Sequence, residues 1–166
     1  TGHANRYQLF VERAITLARS GGRLGLVLPS GLAADHGSRP LRAQLFARCA
    51  VEAIVGFDNR RGLFPTHRSL RFLLVTATTG QPTTEFGCRL GEVDTAALDG
   101  HGVDHPNARA WFPVRATPAL LKRLTGDEMA IPDLRSPLDL AIAERAAALF
   151  APLGADRGWS VRFGRE

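Results

Sequence analysis

Three short apolar runs, at residues 24–28, 51–56 and 70–78, restrict what this chain can build. None approaches the roughly 20 residues of a membrane-crossing helix. The first, Leu-Gly-Leu-Val-Leu, reads as a strand buried on both faces and is stopped by Pro29, Ser30 and Gly31. Before and between the runs the period changes. Tyr7, Phe10, Val11, Ala14, Ile15 and Ala18 recur at three- and four-residue intervals, which predicts an amphipathic helix over residues 7–19, capped by Asn5 and ended by Gly21 and Gly22. Ser38 and Pro40 open a second helix that carries Leu41, Leu45, Phe46 and Cys49 on one face. Helix, tight turn and buried strand in alternation make an α/β fold.

Past Gly80 and Pro82 the pattern loosens. Residues 83–90 suit a further strand, and residues 91–110 are polar with Gly and Pro and carry no period. Thr117 and Pro118 open a short helix to about residue 124. Ser136 and Pro137 open a longer one, with Leu138, Ala141, Ile142, Leu149 and Phe150 expected on a buried stripe. Residues 158–163 read as a last strand. The chain therefore divides into residues 1–80 and a mostly helical connector, residues 81–166.

Charge is uneven along this division. Residues 1–80 hold 11 arginines against Glu12, Asp35, Glu52 and Asp58, a net +7, whereas residues 81–166 carry a net −2. The basic half is the candidate for a polyanion partner. Among the 21 basic residues only Lys122 is a lysine. Guanidinium suits bidentate phosphate or guanine recognition, although arginine dominates the acidic half as well. Cys49 and Cys88 belong to no paired-cysteine motif, and residues 1–5 show neither a basic nor an apolar leader region. A cytoplasmic chain without membrane contact is the expectation. Because Thr1 stands only a few residues before a helix pattern, the chain is also expected to be a piece of a longer protein.

Several familiar chemistries lack their motifs. No Gly-x-Gly-x-x-Gly or Walker loop is present, and Gly21, Gly22 and Gly25 precede a strand instead of following one. Ser30 has Leu28 where a nucleophile elbow needs glycine, so turn formation is its expected role. Cys88, His101 and His105 have half of a zinc-finger spacing, but the first cysteine is missing, and exposed loop histidines with no metal are expected.

One connected string is more specific. It runs through Asn5, Tyr7 and Leu9 to Ala14, then Gly21 to Ser30, then Gly56-Phe57-Asp58-Asn59, then Leu63-Phe64-Pro65, His67, Arg68 and Ser69. In order and spacing it resembles the rear half of a gamma-class adenine-N6 DNA methyltransferase, most like the large restriction-modification and phage-exclusion enzymes. The resemblance implies a partial Rossmann-like methyltransferase sheet in which the three runs are the family's strands 5, 6 and 7, in spatial order 5, 7, 6 with strand 7 antiparallel. Residues 131–134 and 159–166 look like the approach to a target-recognition region.

The family's catalytic Asn/Asp-Pro-Pro-aromatic motif and glycine-rich cofactor loop are not in this sequence. No catalytic residue is therefore expected in it, and the chain alone should be inactive and hold S-adenosylmethionine weakly. By resemblance Phe10 packs on the cofactor's adenine ring and Phe64 stacks on the flipped-out target adenine. For Phe10, plain core packing on the helix stripe is an equal alternative. Arg60, Arg61, His67 and Arg68 flank Phe64 and would grip double-stranded DNA, or else form a solvated charged loop. Expected partners are DNA and restriction or phage-defence subunits, with self-association through an exposed strand edge. The rival reading is a noncatalytic nucleic-acid-binding or scaffolding module.

Overall fold

The computed structural model describes residues 5–98 and 111–151. Helix α1 (Arg6–Leu17) leads into strand β1 (Arg23–Pro29), followed by α2 (Gly31–Ala34), α3 (Arg39–Arg48) and strands β2 (Cys49–Asp58), β3 (Arg71–Thr79), β4 (Phe86–Glu92) and β5 (Val114–Ala116). Two further helices close the described chain, α4 (Pro118–Thr125) and α5 (Pro137–Leu149). The five strands form one mixed sheet in the order β1-β3-β2-β4-β5. β3 runs antiparallel to both β1 and β2, while β4 is parallel to β2 and β5 antiparallel to β4. The three apolar runs thus take the order expected of them, the third lying reversed between the first two. β4 and β5 lengthen the sheet beyond residue 80 on the β2 side.

The core lies on the helix-covered face. Leu28 from β1, Val51 and Ile54 from β2, and Leu73, Val75 and Ala77 from β3 meet Val11 and Ile15 of α1 and Leu41, Leu45 and Phe46 of α3. Phe46 stacks on Phe86, with ring centroids 5.4 Å apart. Thr83 seals the crossing into β4, its buried hydroxyl accepting from the Val51 N–H at 3.0 Å and donating to the Cys49 carbonyl at 2.5 Å. Cys49 and Cys88 are both buried and unpaired, and burial pushes the Cys88 thiol up to about 12. Cys88 is thereby sealed in the sheet, while His101 and His105 lie outside the described residues. The segment at 158–163 lies outside them too.

Four expectations need correction. β1 is not buried on both faces: Leu28 is buried and Leu24 and Leu26 half-buried, but Val27 on the opposite face is 57% exposed. Among the described residues β1 pairs with β3 alone, and only one of its faces meets helices. Helix α1 stops at Leu17, because Ala18 turns to extended backbone; Gly21, at φ 75°, instead forms the turn into β1. Ser38 occupies the N-cap of α3 without capping it, since its Oγ bonds the Tyr7 hydroxyl at 2.7 Å and accepts from Gln8 Nε2 at 3.0 Å, tying α1 to α3. The stripe on α5 is exposed, Leu138, Ile142, Leu149 and Phe150 each being at least 58% accessible. Ser136 and Pro137 do start this helix as expected, but no residue of it is buried, and the half-buried Leu140 packs against the core.

Arg42, which no sequence motif marks, is the most deeply enclosed charge among the described residues, at 1% exposure. Its Nε donates to the Glu128 carbonyl at 2.9 Å, and Nη1 donates to the Leu32 and Asp35 carbonyls at 3.1 and 2.9 Å. Nη2 faces the Glu128 carboxylate at 3.4 Å. Desolvation lowers its proton affinity, and the neighbouring Glu128 opposes this. One guanidinium thus fastens the segment after α4 onto the α2–α3 turn. Arg42→Met fills the space but strands those carbonyls and a carboxylate, so a loss of about 3 kcal/mol is expected. Urea denaturation should show a lower midpoint with an unchanged slope.

Candidate functional site

β1 and β2 end, and β3 begins, at the same edge of the sheet, because Pro29 pairs with Phe72 and Asp58 with Arg71. The Ser30 N–H donates to the Arg71 carbonyl at 3.1 Å and closes this edge. In open α/β sheets the carboxyl ends of the strands are where ligands gather. The loop carrying Phe64 is the connection between β2 and β3 at this edge.

Its conformation follows from local chemistry. Asp58 accepts from the Arg60 N–H at 3.0 Å and from its guanidinium at 2.6 Å, which starts a single helical turn over Asn59–Arg61. Gly62 ends the turn at φ 73°, a left-handed conformation that favours glycine, and its N–H donates to the Asn59 carbonyl at 2.7 Å. The Phe64 N–H then donates to Asn59 Oδ1 at 2.9 Å. The Phe64 ring meets Phe72 edge-on, with centroids 4.8 Å apart and planes at 80°. Phe72 in turn stacks on the buried Phe57 at 5.2 Å and 9°. Phe64 remains 42% exposed, so it stands on an aromatic ladder rooted in the sheet while part of it faces solvent.

All five loop residues singled out in the sequence come together here. Arg60 is clipped to Asp58, Arg61 reaches Asp94 at 3.5 Å, and Arg68 Nη1 donates to the Arg60 carbonyl at 3.2 Å. His67 Nδ1 lies 2.6 Å from the Ser69 hydroxyl and accepts from the Ser69 N–H at 3.2 Å. Arg71, not anticipated, adds a fourth guanidinium 3.8 Å from Asp58. The hydrogen bonds from Arg60 hold the Asp58 carboxyl below the usual carboxylate range, with the charges of Arg60 and Arg71 adding to the effect. Four arginines against Asp58 and Asp94 leave the loop and its base with surplus positive charge.

Phe10 is not part of this cluster. It lies on α1 and is 62% exposed, while Val11 and Ile15 fill the core. Core packing is therefore not its role. Its ring faces solvent on the outer side of α1. Among the described residues no group of side chains could hold a metal ion.

Beside the loop lies a cleft of about 360 Å³. Its apolar wall includes Leu73, Leu90 and Ile131, and a Cβ at Gly56 would approach the Leu90 side chain to 2.7 Å. Its rim carries Asp58, Arg71, Asp133 and Arg135. Asp133 and Arg135 pair at 2.7 Å, and the hydrogen bond from Arg135 holds Asp133 below the ordinary range. The Ile131 N–H donates to the Ala33 carbonyl at 2.9 Å, which draws this segment across the sheet edge. The sequence pointed to residues 131–134 only through resemblance, and nothing in their periodicity shows that they wall a cleft.

Residues 1–64 match the family model of the Eco57I restriction-modification methylases. The match reaches Phe64. No curated protein matches the chain by sequence. Among solved structures, one from a study of complex assembly and conformational transition of the type I R-M system superposes with a TM-score of 0.56 at 15% identity, covering 86% of this chain and 36% of that one. The M protein of the type I restriction enzyme EcoKI gives 0.54 at 12% identity, over 92% of this chain and 46% of its own. The chain spans less than half the length of either. The sheet order and these superpositions show a partial Rossmann-like α/β fold.

The Asp58 clip has a pH signature. A carboxyl whose folded pKa lies below its unfolded value of about 3.9 contributes stability above that value and loses it as pH falls through the folded pKa. Carbon-detected NMR titration should place the Asp58 midpoint below about 3.9. Arg60→Gln should move it upward, since the largest cause is removed.

Proposed function

We propose that this chain is the rear half of the catalytic domain of a site-specific DNA methyltransferase that transfers a methyl group from S-adenosylmethionine to adenine N6, within restriction-modification or phage defence in the cytoplasm. The observation that carries the proposal is Phe64. It is a half-exposed aromatic on a rigid stem at the carboxyl edge of a methyltransferase-type sheet, ringed by arginines. A base removed from a duplex loses its stacking partners, and an aromatic face restores about 1–3 kcal/mol of that loss. Arg60, Arg61, Arg68 and His67 stand where they would hold the phosphates beside such a base. Phe10 would pack on the cofactor's adenine ring. The cofactor, when bound, supplies an electrophilic sulfonium methyl. This chain's residues hold and orient the two reactants, and the motifs that position the exocyclic amine are proposed to lie elsewhere in a longer protein, so that the chain alone is inactive.

The test is to express the protein encoded by the full reading frame and supply tritiated S-adenosylmethionine and unmethylated duplex DNA. N6-methyladenine in the digested product is expected. Label on cytosine, or no label from the folded full-length protein, would overturn the assignment. In that protein Phe64→Ala should lower turnover on duplex DNA about tenfold to a hundredfold with little change in KM for the cofactor. Phe10→Ala should instead raise the cofactor KM about fivefold. Equal losses of both quantities in both variants would remove the division of roles.

Phosphate contacts also leave a salt signature. Replacing Arg60, Arg61 or Arg68 singly with Gln should weaken binding to cognate and scrambled duplexes alike. Each should make the slope of log K against log salt shallower by about 0.9. Unchanged slopes in all three would return the loop to a solvated surface.

A further inference from the structure

Asn59 is a neutral residue inside a charged loop, and it is fully buried. An asparagine side chain offers one acceptor oxygen and two N–H donors. Its Oδ1 takes the Phe64 N–H at 2.9 Å, and its Nδ2 lies 3.2 Å from the Phe64 carbonyl, 3.2 Å from Thr66 Oγ1, 3.4 Å from the Thr66 carbonyl and 3.3 Å from the His67 carbonyl. Its own N–H donates to the Leu70 carbonyl at 3.0 Å. Two hydrogens shared among four acceptors account for the long distances, since isolated N–H···O bonds cluster near 2.9–3.0 Å. Asn59, the residue after β2, thus ties together the loop segments at Phe64, Thr66, His67 and Leu70, while Arg68 bonds back to the Arg60 carbonyl. The Phe64 N–H is held by Asn59 Oδ1, and its carbonyl accepts both from Asn59 Nδ2 and from the Thr66 N–H at 2.8 Å, while Phe72 sets the ring from the other side.

We propose that Asn59 is a positioning residue for base extrusion: it fixes the backbone of Phe64 before DNA arrives, so that the ring meets the extruded base without first having to be ordered. The proposal rests on Phe64 being the stacking residue. A preset aromatic spares the ordering of a loop at the moment of binding, the usual source of loss when a site is held loosely. The donors matter as much as the acceptor. Asn59→Asp retains the size and Oδ1 but turns a carboxylate oxygen toward three carbonyls, and it should fail like Asn59→Ala. Thr66→Val removes one acceptor at an exposed position and should cause a smaller loss.

The experiment uses the full-length protein with tritiated S-adenosylmethionine, a duplex containing the site mapped with the wild type, and the same duplex mismatched opposite the methylated adenine. Asn59→Ala and Asn59→Asp should each lower kcat on the matched duplex about tenfold or more while leaving the cofactor KM unchanged. The mismatched duplex, whose adenine leaves the stack more easily, should recover most of the loss. Hydrogen exchange should show the Phe64 amide unprotected in Asn59→Ala while the β2 and β3 amides stay protected. If Phe64→Ala loses turnover but the Asn59 variants do not, positioning by Asn59 is wrong and stacking by Phe64 stands. If Phe64→Ala loses nothing, the stacking assignment itself fails. Should the β2 and β3 amides exchange together with that of Phe64, Thr66→Val decides: a partial loss recovered by the mismatch supports positioning, and no recovery overturns it.

Discussion

The antiparallel pairing of β3 between β1 and β2 is the constraint on which the rest of this structure depends. A parallel neighbour would need a crossover to the far end of the sheet, whereas an antiparallel one can be reached by a loop at the same edge. The return from β2 to β3 is consequently made at the carboxyl edge, where Pro29 faces Phe72 and Asp58 faces Arg71. The register also puts Phe57 opposite Phe72 on one face, and this pair supports Phe64. An odd-residue slip of β3 against β2 would send Phe72 to the opposite face and leave Phe64 without its ladder. The aromatic site is thus a consequence of strand register.

Charge in the loop is arranged to be partly self-neutralised. Arg60 and Arg71 share Asp58, and Arg61 leans on Asp94. Exposed pairs of this kind add little to stability because solvent screens them and long side chains lose freedom. Their effect is on conformation. Asp58 draws the Arg60 backbone into the turn that begins the loop, and Arg68 closes back on the Arg60 carbonyl. A carboxylate clip that costs little to open leaves its arginines available to a phosphate, which offers the same bidentate geometry.

How much of this could be read beforehand differs by residue, for physical reasons. The strand order was legible because the apolar runs are short, continuous and joined by marked turns. The exposure of Phe64 was legible because an aromatic between Gly62 and Pro65 has no natural place in a core. Phe10 could not be resolved by periodicity: it sits on the same three-and-four spacing as Val11 and Ile15, yet the buried arc of α1 is too narrow to include it. The stripe on α5 shows the same limit, because spacing identifies a helix but does not say whether anything covers it. The burial of Arg42, and of Asn59 although it stands in the motif string, was not legible for a different reason. Arginine and asparagine are usually exposed, and only the convergence of carbonyls from distant segments makes their burial tolerable.

Those two residues perform the same task at different scales. A buried carbonyl must find a donor, and irregular backbone has no ladder to supply one. Arg42 provides donors to three carbonyls where the segment after α4 crosses α2 and α3; Asn59 provides them where the loop crosses the end of β2. Each side chain substitutes for the missing secondary structure. Regular sheet lies between these two fastenings, and the cleft opens there, with Asp58 and Arg71 on the loop side and Asp133 and Arg135 on the other. The geometry of the edge is therefore set by two buried polar anchors. Removing either would loosen its own side of the cleft while leaving the five-stranded sheet to hold the other.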